Sequence, residues 1–214
     1  MGEIAPQGGT EPVADGASCD RWHPTDCEGT AHCPPRCPRF VDRQDVAWLV
    51  RPFEPADREP LLDMYREFDS MERAQGIPPV DEGRLERWVD RLVAEGCNFV
   101  AVRDGRIAGH SVYTPTEEDE PELAVFVHQE YQGRGLGTEL CRHVVAAAAA
   151  AGRDALVLEV LPSNRTAVGI YERLGFEPVE RRGGAGRRSH AMRMRLPFEA
   201  DGPHGSQFPP AVRG

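Results

Sequence analysis

The chain contains no lysine: all 25 of its basic residues are arginine. That absence excludes Schiff-base chemistry on a protein lysine. It also excludes a Walker-type nucleotide loop, whose lysine must reach the terminal phosphates. Positive charge is scarce altogether. The formal net charge is −10 and the sequence pI about 5.2, whereas general nucleic-acid binding needs a basic face. Long apolar runs are missing too. The longest, Val144 to Ala151, spans eight residues and is too short for a bilayer, and residues 1–16 lack the apolar stretch of a signal peptide. A cytoplasmic protein is therefore expected, with its six cysteines mostly reduced and with neither membrane nor nucleic acid as a partner. An acidic chain without lysine fits a salt-adapted or strongly GC-biased proteome, a statement about surface rather than fold.

The most informative feature that is present is Gln132-Gly133-Arg134-Gly135-Leu136-Gly137. It follows the apolar run Leu123 to Val127 and leads into a helical pattern from Thr138 to Ala151. A strand, a glycine-rich turn and a helix N-terminus bring several unpaired N–H groups together at the positive end of a helix dipole. Glycines let a ligand approach that backbone, which suits a phosphate or diphosphate. The dinucleotide fingerprint G-x-G-x-x-G fails, because its third glycine would fall at Thr138 or Leu140. Glu159 lies at a distance that would mimic its ribose-binding acid, but the missing glycine removes the reading.

What fits is Q-x-x-G-x-G, read as Gln132, Gly135 and Gly137. Here the chain resembles the GCN5-related N-acetyltransferase (GNAT) family, whose Q/R-x-x-G-x-G/A loop wraps the diphosphate of acetyl-coenzyme A. Gln129 departs from the proline many members carry, which changes the stiffness of the turn. A second block also resembles the family: Leu156 to Val160, then Asn164, then Ile170 to Phe176. The resemblance covers roughly residues 47–197. It implies an α/β fold of the acyl-CoA N-acyltransferase kind, a mixed central β-sheet flanked by helices. It also implies an N-acetyltransferase using acetyl-CoA as co-substrate and a primary amine, on a small molecule or a protein, as acceptor. A non-catalytic acyl-CoA sensor is the alternative. Acceptor, acyl length and oligomeric state, a homodimer included, stay open.

Residues 1–46 are rich in glycine, proline and charge and read as an extension, and residues 198–214 as a loose tail. Between them the patterns predict a strand at 47–52, a helix at 57–70, and a second helix capped by Asp81 and stopped by Gly96. A hairpin turning at Asp104-Gly105 follows, then strands at 122–127 and 155–160. The helix between those strands buries Leu136, Leu140, Val144 and Val145. A last helix at 164–174 and two strands near 176–182 and 189–195 complete the domain.

Acetyl transfer to an amine must first remove a proton, because an alkylamine with a pKa near 10.4 is charged at neutral pH. Reaching the free base corresponds to roughly 4.6 kcal/mol at about 1.36 kcal/mol per pKa unit. A carboxylate made more basic by burial can do this, directly or through water. Glu122 is the candidate: Glu122-Leu123-Ala124-Val125-Phe126-Val127 resembles the Glu-x-Ala-Val-x-Val strand of the protein-lysine branch of the family. Glu122 also ends an acidic run (Glu117, Glu118, Asp119, Glu120) that reads equally as a solvated loop, and Glu159 is a second, weaker candidate. The family implies oxyanion donors among the backbone N–H groups near Phe126 and Val127, with Val125 beside them. It assigns the proton for the leaving thiolate to a tyrosine at the position of Tyr171, although Tyr171 also lies in an apolar stripe with residues 167, 170 and 174. Asn164 suits an N-cap, and the resemblance implies that it also contacts the cofactor. The diphosphate contacts expected are the amides of Gly133, Gly135, Gly137 and Thr138 around Leu136, with Gln132 on the loop and Arg134 adding charge.

Other signals point less sharply. Cys19, Cys27, Cys33 and Cys37 with His23 and His32 invite a zinc reading, but only Cys33 and Cys37 have common ligand spacing. No metal is assigned to the catalytic site. Cys97 and Cys141 sit beside apolar positions and read as buried packing. The pairs Arg181-Arg182 and Arg187-Arg188, around a glycine-rich turn, suit a solvated hairpin or a lid attracting an anion.

Overall fold

The architecture comes from a computed structural model that describes residues 33–69, 78–179 and 191–199. The cysteines and histidines at 19–32, the paired arginines at 181–188 and the tail beyond 199 lie outside those residues. Strand β1 (Arg39–Val41) pairs antiparallel with β2 (Ala47–Pro52). Helices α1 (Arg58–Arg66) and α2 (Glu82–Glu95) follow. Next come β3 (Cys97–Arg103), β4 (Arg106–Thr114) and β5 (Glu122–Val127). Helix α3 (Leu136–Ala150), β6 (Ala155–Val160) and α4 (Arg165–Arg173) lead to β7 (Glu177–Val179) and β8 (Met192–Pro197). Among the described residues the strands form one sheet, in the order β1-β2-β3-β4-β5-β6-β8-β7. Of these described strands, only β5 and β6 run parallel.

The sheet thus opens ahead of Ala47, the predicted start. Three residues of strand are too few to display a period of two, so β1 leaves no pattern in the sequence. Predicted strands at 47–52, 122–127 and 155–160 form with those bounds. The Asp104-Gly105 turn has positive φ at both residues, as a type I′ hairpin requires. Helix α2 starts where Asp81 accepts the Arg84 amide at 3.0 Å. It stops at Gly96 for a packing reason. A Cβ there would stand 2.4 Å from Val112 Cγ2 and 2.7 Å from the Leu92 carbonyl oxygen, so only glycine lets the chain pass under β4. Helix α1 is shorter than expected, ending at Arg66 with Glu67 as its C-cap.

Alternating side chains divide the core between the two faces of the sheet. On one face α1 and α2 bury Leu61, Leu62, Tyr65, Leu85 and Val89 against Val100 and Ile107. On the other, α3 and α4 bury Leu136, Leu140, Val144 and Tyr171 against Leu123, Leu156 and Leu158. No helix among the described residues is long and apolar enough to cross a membrane.

Candidate functional site

Strand β5 lies inside the sheet, yet its two flanks differ. Its six residues all pair with β4, from Thr114↔Glu122 to Gly109↔Val127. Toward β6 a single register pair forms, Glu122↔Val157, beside a 3.1 Å bond from the Val157 amide to the Pro121 carbonyl. Beyond that point the strands part, and Ala124 to Val127 are only half-buried although they belong to an interior strand.

The ladder fixes which amides face the gap. His128 donates to the Ala108 carbonyl at 2.9 Å, and bonded pairs alternate along an antiparallel ladder. Phe126 and Ala124 therefore bond with β4, whereas Val125 and Val127 turn their amides toward β6. Of the two oxyanion donors the sequence nominated, Val127 faces the gap and Phe126 does not; Val125 joins Val127.

The open end of the gap meets the glycine loop. Gly133 and Gly135 adopt positive φ, at 72° and 101°. Gly135 is the N-cap of α3 and offers no side-chain cap, so the first amides, at Leu136, Gly137 and Thr138, have no partner within the helix. The Glu139 amide is the first to find one, the Gly135 carbonyl at 3.1 Å. No heavy atom lies within 4 Å of a Cβ built on Gly133, which leaves the loop open there. Gln132 donates from Nε2 to the Val127 carbonyl at 3.2 Å and so ties the loop to the end of β5. Unpaired amides at a helix start, with side chains cleared away, fit a diphosphate.

Arg134, expected to add charge at the loop, has partners within the protein. Its Nε reaches Asp42 Oδ2 at 2.7 Å, and its guanidinium lies 5.6 Å from the Trp48 ring centroid and 5.5 Å from that of Tyr131. The Asp42 side chain is fully buried and that of Arg134 12 % exposed. The positive charge is neutralised within the protein.

The two nominated catalytic side chains stand on opposite faces of the sheet. Glu122 alternates with Leu123 and so shares a face with Phe126, whose ring packs 5.5 Å from those of Tyr65 and Trp88. Glu122 itself is exposed, so the burial expected of this carboxylate is missing. Glu159, half-buried on β6, lies on the same face, opposite Arg193 of β8. Tyr171, on the other face, packs edge-on to Phe176 at 5.8 Å. Burial raises its phenol well above the usual value, and the neighbouring Cys141 thiol adds to the rise. Asn164 caps α4, accepting the Ala167 amide at 3.1 Å. Cys141 is buried, and burial pushes its thiol up to about 12. Among the described residues no group of three or more His, Cys, Asp or Glu could hold a metal ion.

Sequence reasoning missed the polar interior beside β5. His110 on β4 is fully buried, with Tyr65 Oη at 2.6 Å from Nδ1 and Asn98 Oδ1 at 2.9 Å from Nε2. Asn98 also donates to the carbonyls of Leu92 and Gly96, at 2.8 and 2.7 Å. With Asn98 accepting from Nε2–H, the Tyr65 hydroxyl donates to Nδ1. Burial holds His110 down to about 3, so the ring stays neutral. No spacing announces this trio, because its members come from three separate elements.

Comparison with known proteins agrees with this geometry. The model of the acetyltransferase (GNAT) family matches residues 59–176, more than half of the chain. The chain belongs to the GNAT family. An L-methionine sulfoximine/L-methionine sulfone acetyltransferase of Pseudomonas paraeruginosa is 28 % identical over 106 residues, covering 46 % of this chain. The match takes in 62 % of that relative, so the chain spans less than two thirds of its length. The GNAT domain of S. lividans PAT superposes with a TM-score of 0.64 at 22 % identity, over 75 % of this chain and 96 % of that one. A Salmonella typhimurium protein solved with its cofactor acetyl-CoA gives a TM-score of 0.57 at 19 % identity, over 74 % and 98 %. This GNAT chain therefore has the mixed sheet of its relatives.

Proposed function

We propose that this GNAT chain transfers the acetyl group of acetyl-CoA to a primary amine, by direct attack in a ternary complex. The observation that carries the reading is the gap between β5 and β6, a parallel pair joined at one register position whose open end meets the uncapped start of α3. The amides of Gly133 to Thr138 hold the diphosphate there. Val125 and Val127 offer their amides to the acyl-bearing arm as a neighbouring strand would. Acetyl-CoA in the Salmonella relative supports the donor, and the methionine sulfoximine acetyltransferase supports a small amine as acceptor.

The two faces of the sheet divide the chemistry. Glu122 receives the proton of the incoming ammonium on the α1–α2 face, and its exposure suits relay through a water. Val127, with Val125, stabilises charge developing on the thioester oxygen. Tyr171 waits on the α3–α4 face, where the thiolate departs. Its phenol is protonated at neutral pH and so has a proton to give to the departing thiolate. Asn164 holds the start of α4, and with it the helix that carries Tyr171. No covalent acyl-enzyme is needed. Cys141 neighbours Tyr171, but a thiol held at about 12 supplies almost no thiolate near pH 7.

Thiol release from acetyl-CoA, followed across a panel of primary amines, tests the reading. The wild type turns over at least one amine, and Glu122→Gln and Tyr171→Phe each lose about 100-fold in kcat. Both variants keep their acetyl-CoA affinity. Calorimetric binding of acetyl-CoA by a wild type that acetylates no amine would point instead to a non-catalytic sensor.

A further inference from the structure

The segment ahead of β2 holds the glycine loop from behind. Asp42 accepts from Trp48 Nε1 at 2.8 Å, from the amides of Gln44 and Val46 at 2.8 and 3.1 Å, and from Arg134 Nε at 2.7 Å. Burial alone would raise its carboxyl, but these donors outweigh burial and lower it. The next residue continues the clamp. The Arg43 amide donates to the Arg134 carbonyl at 3.0 Å, and its Nη1 to the Gly133 carbonyl at 3.3 Å. Phe40 of β1 closes the other side, its Cζ 3.3 Å from where a Gly135 Cβ would stand. Upstream, buried Arg36 grips Glu139 in the first turns of α3, with Nη2 to Oε2 at 2.6 Å.

Two consequences follow. Carbonyls of Gly133 and Arg134 are drawn back toward residue 43, and because N–H and C=O point opposite ways in a trans peptide, the amides of Arg134 and Gly135 are turned away from it. The Arg134 guanidinium is also engaged within the protein, ion-paired to Asp42 and packed against the Trp48 and Tyr131 rings. We propose that Asp42 is a positioning residue for the donor's diphosphate: it fixes the loop at 132–138 through Arg134, and Arg134 acts as a brace rather than as a phosphate ligand. The proposal rests on the acetyl-CoA reading for its ligand, but the clamp exists without one.

The opposite sign of one variant separates brace from ligand. With Arg134 as a phosphate ligand, removing Asp42 frees the guanidinium and tightens binding. With Arg134 as a brace, removal weakens it. Acetyl-CoA binding is measured by calorimetry for Asp42→Asn, Arg134→Gln and the double variant in the full chain. Each single variant is expected to lose about tenfold or more, and the double variant no more than the worse single, because both break one linkage. The KM for acetyl-CoA should rise with little change in kcat at saturation. The KM for S-acetyl-pantetheine, which lacks the diphosphate, should stay put. A general loss of folding would move both donors together.

Amide hydrogen exchange over 132–138 in the ligand-free protein reads the clamp independently, and Asp42→Asn should exchange faster there than the wild type. Trp48→Phe, which keeps the ring and removes one donor to Asp42, is the milder variant should Asp42→Asn fold poorly. It should weaken binding in the same direction. Unchanged or tighter binding in Asp42→Asn, additive losses in the double variant, or equal losses with S-acetyl-pantetheine would overturn the proposal. A wild type that binds no acetyl-CoA, yet shows the expected exchange difference, would leave the clamp standing and remove the diphosphate reading.

Discussion

The two flanks of β5 are built on opposite principles. Toward β4 every residue of the strand is in register, and from Ile107 to Tyr113 its neighbour is buried. Polar groups on that side satisfy one another, as Asn98, His110 and Tyr65 do, and Ser111 donates to the Leu140 carbonyl at 3.1 Å. Toward β6 the pairing stops after one position and the backbone is left facing a gap. The difference teaches that one strand can be fully paired on one edge and leave its main chain open on the other. The closed flank makes the open one affordable: main-chain groups withheld from the sheet cost stability, and the fully paired β4 side offsets that cost.

The division can be broken by moving stability and binding separately. The largest expected effect is on the closed flank. Asn98→Ala removes two bonds to carbonyls at the end of α2 and leaves His110 Nε2 without its acceptor. It should cost about 2–4 kcal/mol, lowering Tm by roughly 2–4 °C per kcal/mol in a chain of this size. Acetyl-CoA affinity measured well below the new Tm should not change. A variant that kept its Tm and lost affinity would show the two flanks to be coupled.

Acid should attack the same flank. His110 is held down to about 3 in the folded protein, whereas an unfolded histidine titrates near 6.5. Between those values the unfolded state binds the extra proton, so this contribution is intact above about pH 6.5 and is lost as pH falls below it. At pH 5 the loss from His110 is about 2 kcal/mol. Burial holds His143 of α3 down to about 4, Glu139 opposing and Arg36 adding to the depression, and this histidine contributes a fall of the same sign. Urea unfolding at pH 7.5 and pH 5 should show the fall in the wild type and a shallower one in His110→Gln. Equal slopes would mean that His110 is not held neutral.

The smallest effect is expected at the loop itself. Gly135→Ala forces a side chain into φ 101° and to within 3.3 Å of Phe40, for about 1–2 kcal/mol of strain. Thermal stability should fall by a few degrees. Acetyl-CoA affinity should fall about tenfold, because the strain is relieved by moving the amides that face the ligand. An unchanged affinity would mean that the loop's conformation matters less to binding than its composition does.

Much of this was legible in the sequence, and what was not shares a cause. Strand bounds at 122–127 and 155–160, the Asp81 and Asn164 caps and the Asp104-Gly105 turn rest on patterns local in the chain, which survive whatever packs around them. Arg134 was legible as a cation but not as half of an internal ion pair, because its partner Asp42 lies 92 residues away. Tyr65, Asn98 and His110 each read as ordinary residues until three elements meet. Glu122 reads as a carboxylate at the start of a strand, and only the packing of helices on the sheet sets it on the face opposite Tyr171.

The order of residues alone determined the family, the glycine-rich turn ahead of α3 and most element boundaries. Glycine spacing, hydrophobic period and capping residues act over a few positions and need no partner from afar. Tertiary structure alone decided where the sheet opens, which amides of β5 face the gap and that Arg134 is neutralised. Each of these depends on register between distant strands or on burial of a charge pair, and neither quantity exists until the chain has folded.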